Sequence, residues 1–85
     1  MKKNVLKKCI VEIIDCCKEF NRAFLFNGDV KYWDFRLDGI LFVLEVSSVA
    51  IEFSRSCPNN LYTGVTVDGD YYDIPFDDLP FTDFD

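Results

Sequence analysis

The chain has 85 residues, 49% of them apolar, a formal net charge of −6 and no histidine. This length allows one domain with one core, residues 1–85, and the apolar content excludes a disordered chain. Without histidine the chain lacks the commonest general base and metal ligand, which excludes most hydrolase templates. We therefore expect a protein that is not an enzyme and that holds no cofactor or metal.

The first element is predicted to be an amphipathic helix over residues 3–22. At about 100° per residue, one side of this segment is apolar. That side consists of Leu6, Ile10, Ile13, Cys17, Phe20 and Phe24. Val11 is an exception on the otherwise polar side. Charged residues interrupt the apolar runs near the N-terminus, so neither a membrane span nor a secretory signal is expected.

The cysteines favour a reducing compartment. Cys9, Cys16 and Cys17 lie on the predicted helix, whereas Cys57 lies in a later loop. At most one of the three could reach Cys57, so we predict free thiols in a cytoplasmic protein. Cys9, Cys16 and Cys17 are expected to pack in the core, and Cys57 is expected to be exposed. A zinc site of four thiolates is the alternative. It is disfavoured because a helix directs Cys16 and Cys17 about 100° apart, whereas structural zinc sites use paired ligands on a turn.

Residues 30–46 are predicted to form two strands joined in a hairpin. Trp33, Phe35 and Leu37 alternate with polar residues, which indicates a half-buried strand over residues 30–37. Asp38 and Gly39 are the residues that a two-residue type I′ turn prefers. The nearly continuous apolar run over residues 40–46 predicts a central strand that is buried on both faces.

Three further strands are predicted over residues 49–53, 61–67 and 71–74. Asp68 and Gly69 repeat the hairpin signal between the last two, and Pro75 ends the last strand. Residues 75–85 form a tail in which acids alternate with large apolar residues. The predicted fold is therefore α+β. One N-terminal amphipathic helix packs on a four- to five-stranded antiparallel sheet, a meander of hairpins, and an acidic, aromatic C-terminal tail follows.

Charge is distributed unevenly along the chain. Residues 1–27 carry six basic and three acidic residues, whereas residues 28–85 carry three basic and twelve acidic ones. The acidic part is expected to repel nucleic acid and anionic membranes and to attract a basic surface of another protein. The residues predicted to bind that partner are Asp68, Asp70, Asp73, Asp77, Asp78, Phe81, Asp83 and Phe84. A weak divalent-cation site at Asp68, Asp70 and Asp73 is the less favoured alternative, since Gly69 does not stand where a helix–loop–helix calcium site places its glycine.

In size, acidity and aromatic content the chain resembles small phage-encoded anti-defence proteins, among them anti-CRISPR proteins and DNA mimics. The resemblance implies an acidic binding protein that inhibits a nucleic-acid-binding protein by occupying its basic surface. In such a protein a row of carboxylates takes the place of the phosphates of DNA. The alternative is a protein–protein interaction module that docks through the aromatic tail, with Phe81 and Phe84, or through a sheet edge.

Overall fold

A computed structural model describes residues 2–56 and 60–75 of the chain. Two helices come first, α1 (Lys3–Leu25) and α2 (Val30–Val46), and three strands follow, β1 (Ile51–Arg55), β2 (Tyr62–Val67) and β3 (Asp70–Asp73). The α+β class is right, but the predicted architecture of one helix and four to five strands is wrong, because the described chain has two helices and a three-stranded sheet. Neither helix in this part of the chain is long and apolar enough to cross a membrane.

The N-terminal helix is confirmed, and α1 continues to residue 25 instead of ending near residue 22. Its apolar side enters the core, where Ile13 and Cys17 are fully buried, except at Phe24, which is 48% exposed. The helix ends in a Schellman motif: Asn27 has a left-handed backbone (φ 57°), and the Gly28 N–H donates to the Ala23 carbonyl oxygen at 2.6 Å. A Cβ at Gly28 would lie 3.1 Å from Ala23, so glycine permits the tight turn between the two helices.

The predicted hairpin over residues 30–46 is wrong, because this stretch forms one helix. Its start is capped by Asp29, whose carboxylate accepts a hydrogen bond from the Tyr32 N–H at 3.1 Å. Leu37 and Leu44 lie seven residues apart, so two helical turns bring both to one side, where both are buried. They join the core cluster that α1 also enters. Gly39 is therefore an interior helical residue and not part of a turn.

Alanine substitutions at Gly39 and Gly69 form a matched test of whether residues 30–46 are helical. Neither has an atom within 4 Å of the position that a Cβ would occupy, but Gly39 is helical whereas Gly69 has a φ of 90°. Gly39→Ala is expected to raise the free energy of unfolding by about 0.5–1 kcal/mol, since glycine is the poorer helix former. Gly69→Ala is expected to lower it by about 1–2 kcal/mol, because alanine is strained at that φ. Urea unfolding followed by circular dichroism measures both changes, and a destabilising Gly39→Ala would contradict the helix.

The sheet is antiparallel, in the order β1-β2-β3. Its strands correspond to the predicted strands 49–53, 61–67 and 71–74, with ends that differ by at most two residues. Val65 of β2 pairs with Phe53 on one side and Tyr72 on the other, and these three side chains face the helices. The hairpin at Asp68 and Gly69 is confirmed, because both residues have the positive φ (50° and 90°) that a type I′ turn requires.

A side-chain amide joins the helical half to the sheet. Asn21 is fully buried in α1, and its amide makes two hydrogen bonds of 2.8 Å to Tyr62, the first residue of β2. Its Nδ2 donates to the Tyr62 carbonyl oxygen, and its Oδ1 accepts from the Tyr62 N–H. The amide thus pairs with both backbone groups of Tyr62, as a neighbouring strand would. This link fixes α1 relative to β2.

Candidate partner-binding surface

Three of the residues predicted to bind a partner are described, and they do not form one row. Asp68 links the hairpin turn to the residue before β1. Its N–H donates to the Ala50 carbonyl oxygen at 2.9 Å, and its carboxylate accepts from the Ala50 N–H at 3.0 Å. Asp70 and Asp73 are exposed, but they are three positions apart on β3 and so lie on opposite faces. The others, which lie outside the described residues with the rest of residues 76–85, are Asp77, Asp78, Phe81, Asp83 and Phe84.

Asp73 shares the outer face of the sheet with Tyr71. The Tyr71 side chain lies across Gly64 of β2, where a Cβ would collide with the Tyr71 hydroxyl and ring. Desolvation of the hydroxyl and its hydrogen bond with Asp73 raise the pKa of Tyr71 above its ordinary value. The Asp73 carboxylate therefore holds the tyrosine in place as well as contributing surface charge.

The most exposed phenylalanines of the described residues lie on α2, on the side opposite the buried leucines. Phe35 is 79% exposed, Phe42 is 64% exposed, and Val46 follows one turn later at 66%. The spacing of seven and four residues places them in one line along the helix, with Gly39 between the phenylalanines. These four residues are termed the α2 stripe. A continuous exposed apolar patch with aromatic side chains is typical of protein–protein interfaces.

Acidic side chains run beside the α2 stripe. Asp34, Asp38 and Glu45 are exposed and project within about 40° of one another at 100° per residue. At 1.5 Å per residue they span about 16 Å of the helix. These three residues are termed the acidic row. Lys31 lies on the same side in the first turn, so the row is most negative towards the C-terminus of α2.

Two nearby arginines are engaged in contacts of the fold. The Nη2 atom of Arg36 lies 3.5 Å from the Oε2 atom of Glu12 in α1. The Cζ atom of Arg36 lies 5.5 Å from the centroid of the Trp33 ring. Arg55 lies 4.0 Å from the centroid of the Tyr62 ring, on the side of the sheet that contacts α1. Both guanidinium groups therefore hold elements of the fold together.

Two thiols of α1 are buried in the core, as predicted. Cys16 and Cys17 belong to the core cluster, and Cys9 packs against it. Burial raises the pKa of Cys17 to about 12, and burial also raises the pKa of Cys16. Both thiols stay protonated near neutral pH, so neither is an activated nucleophile. No group of three or more potential metal ligands occurs among residues 2–56 and 60–75.

The pKa of Cys17 predicts how stability depends on pH. The thiol ionises near its ordinary pKa of 9.0 in the unfolded chain and at about 12 in the folded chain, so folding favours the protonated form. This contribution is fully present below pH 9 and is lost as the pH rises from 9 to 12, with about 1 kcal/mol lost by pH 10. Urea unfolding at pH 8 and pH 10 measures the loss. Cys17→Ala should lose less stability over the same interval, and an equal loss in both proteins would contradict the assignment.

The chain matches no protein-family model, and it shows no match to a curated protein or to a solved structure. Its function is therefore argued from the geometry, charge and chemistry of its own residues. In the part of the chain that the structure describes, the outward face of α2 combines the most exposed aromatic side chains with a line of carboxylates.

This face is not predicted from the sequence, because residues 30–46 are predicted to form strands. In a strand, Phe35 faces the core together with Leu37, whereas in the helix Phe35 points away from Leu37. The signal that could have revealed the helix is the recurrence of Trp33, Leu37, Ile40 and Leu44 at spacings of three and four residues.

Proposed function

We propose that this chain is a non-enzymatic, acidic protein-binding domain that inhibits a nucleic-acid-binding protein by occupying its basic surface. The observation that carries the proposal is the outward face of α2, where the α2 stripe runs beside the acidic row. Exposed aromatic side chains supply contact area from which water is excluded, and the neighbouring carboxylates attract and orient a basic partner. The domain acts in the reducing cytoplasm, which suits a chain with free thiols in its core.

The charge of the chain supports the proposed class of partner. Twelve of the fifteen acidic residues lie after residue 27, and the net charge of the chain is −6. Repulsion between carboxylates and phosphates disfavours direct binding to nucleic acid or to an anionic membrane, whereas a protein that binds nucleic acid presents the opposite charge. The acidic row offers such a protein its charges in a line. Because three carboxylates are few, contact with the α2 stripe supplies much of the affinity, and the acidic row mainly raises the rate of association.

The test uses the full chain immobilised on a resin and a nuclease-treated cell lysate. The expected result is retention of a nucleic-acid-binding protein that a short DNA duplex displaces and that elutes as salt rises. A double variant, Phe35→Ser with Phe42→Ser, removes the aromatic part of the α2 stripe, and Asp38→Asn with Glu45→Gln neutralises most of the acidic row. Each should weaken binding to the purified partner at least tenfold.

Phe24→Ser is the matched control, because Phe24 is an exposed phenylalanine on α1, outside the α2 stripe. This variant should retain the partner as the unaltered chain does. Equal retention by all variants would refute the assignment to α2. A partner that DNA does not displace would refute the claim that a nucleic-acid-binding surface is occupied.

The edge of the sheet is the second candidate contact, and the strand order favours it. β1 lies at one edge and pairs with β2 on its other side, so a further strand could align along it. Beside β1, Leu41, Val49 and Phe53 line a groove of about 300 Å³. Binding of a partner strand at this edge would not weaken as salt rises, and DNA would not displace the partner. A salt-resistant partner that the Phe35→Ser and Phe42→Ser variant still retains would favour this edge over α2.

A further inference from the structure

A second apolar surface lies between α1 and β3. A groove of about 640 Å³ is lined by Ile10, Val11 and Ile14 of α1 and by Tyr72 of β3, with Lys7 at its edge. Val11 is 64% exposed although it lies on the otherwise polar side of α1. A further groove of about 470 Å³ shares Lys7, Ile10 and Tyr72 and continues towards the N-terminus of α1. The two grooves therefore form one continuous path around Tyr72.

We infer that residues 76–85 of this same chain bind in this path. The described chain ends at Pro75, three residues after Tyr72, so residue 76 begins within about 14 Å of the groove wall. The ten following residues reach at most about 35 Å, whereas the α1 wall from Lys7 to Ile14 rises only about 11 Å. The segment is therefore long enough to lie along both grooves.

The composition of the segment complements the path. Its large apolar residues, which match the aliphatic and aromatic walls, are Phe76, Leu79, Phe81 and Phe84. Its charged residues, which are all acidic, are Asp77, Asp78, Asp83 and Asp85. Lys7 and Lys8 line the larger groove together with Glu12, and the smaller groove adds Lys3 and Asp70, so lysines outnumber acids along the path. The lysines attract the acids of the segment while its apolar side chains cover Val11.

Covalent attachment favours this segment over an external occupant. A tethered segment is present at an effective concentration of millimolar order. The excess of lysines over acids along the path disfavours a basic partner of the kind proposed for α2. The inferred contact uses α1 and β3, so it goes beyond the proposed function and can be tested separately from it.

Cleavage of the full-length chain by chymotrypsin tests the inference, since the protease cuts after aromatic residues only where the segment is free to enter its active site. Intact-mass spectrometry follows the rate of cleavage within residues 76–85. Val11→Asp places a charge in the groove and should accelerate this cleavage at least tenfold. Val5→Asp is the matched control, because Val5 is an exposed valine of the same helix that lines neither groove. Its cleavage rate should equal that of the unaltered chain.

Charge reversal at the border gives an independent measurement. Lys7→Glu should accelerate cleavage of the segment severalfold, whereas Lys31→Glu on α2 should not. Nuclear Overhauser contacts between the Val11 methyl groups and the phenylalanine rings of residues 76–85 should be visible in the unaltered chain. Circular dichroism establishes that each variant is folded.

Equal cleavage rates in the unaltered, Val11→Asp and Val5→Asp chains would overturn the inference, and so would the absence of the Overhauser contacts. Protection that grows with protein concentration, together with dimers detected by light scattering, would show that the groove binds the segment of a second copy. That outcome would also overturn the intramolecular contact. Loss of partner binding in the α2 variants leaves these cleavage rates unchanged, so the two proposals fail or succeed independently.

Discussion

Replacing Asn21 with alanine should lower the free energy of unfolding by about 2–5 kcal/mol. The substitution leaves the N–H and the carbonyl oxygen of Tyr62 without their partner in a buried site, and each such group costs about 1–3 kcal/mol. Domains of this kind are stable by only about 5–15 kcal/mol. The variant is therefore expected to be partly unfolded under conditions in which the unaltered chain is fully folded.

Urea unfolding, followed by the fluorescence of Trp33, measures this loss. Asn4→Ala is the control, because Asn4 is an exposed residue of the same helix, and it should change stability by less than about 0.5 kcal/mol. Asn21→Asp retains the size of the side chain but replaces the donor with a carboxylate, so it should not restore stability. A loss below about 1 kcal/mol for Asn21→Ala would show that the amide is not the link between α1 and β2.

Leu44→Ala should also cost about 2–5 kcal/mol, whereas truncation of the larger Phe42 to alanine should cost about 0.5 kcal/mol or less. Leu44 is fully buried and Phe42 is 64% exposed because they lie on different sides of a helix. In a strand, residues 42 and 44 would share one face, and both truncations would have similar costs.

Thermal or urea unfolding of the two variants measures this difference directly. Leu37→Ala provides a second buried position, two turns earlier on the same side, and should behave like Leu44→Ala. A Phe42→Ala variant as unstable as Leu44→Ala would support the predicted hairpin and would contradict the α2 stripe. Helical circular dichroism that is unchanged in Phe42→Ala would instead support the proposed surface.

Elements whose signals are local could be predicted from the sequence. The apolar side of α1 extends over several turns, which no strand pattern can imitate. Asp68 and Gly69 adopt the positive φ that their residue types favour, so the hairpin between β2 and β3 needs no distant contact to form. The three strands were located to within two residues for the same reason.

Residues 30–46 could not be assigned in this way because two periods overlap in them. Trp33 and Leu37 fit a spacing of two, through Phe35, and also a spacing of four. Asp38 and Gly39 strengthened the wrong choice, although a single glycine is tolerated in a helix at a cost of about 1 kcal/mol. Burial of Leu37 and Leu44 in the core shared with α1 decides the outcome, and this contact is not visible in the sequence.

The candidate surface was likewise predictable in part: its charge follows from the sequence, whereas its apolar stripe depends on the helix. The concentration of acids after residue 27 is visible in the sequence, so a basic partner could be proposed without a structure. The α2 stripe exists only because residues 35, 42 and 46 coil onto one side of a helix. The Asn21 link joins residues 41 positions apart, and no local pattern distinguishes Asn21 from the other asparagines.

The order of the elements along the chain has a consequence for folding kinetics. α1 packs with α2, β1 pairs with β2 and β2 pairs with β3, so each partner is the next element in the sequence. Short loops close at little entropic cost, and chains with such local topology fold rapidly. We expect the helical half and the sheet to form separately and early. The hydrogen bonds between Asn21 and Tyr62 form when the two halves meet, so Asn21→Ala should speed unfolding more than it slows folding.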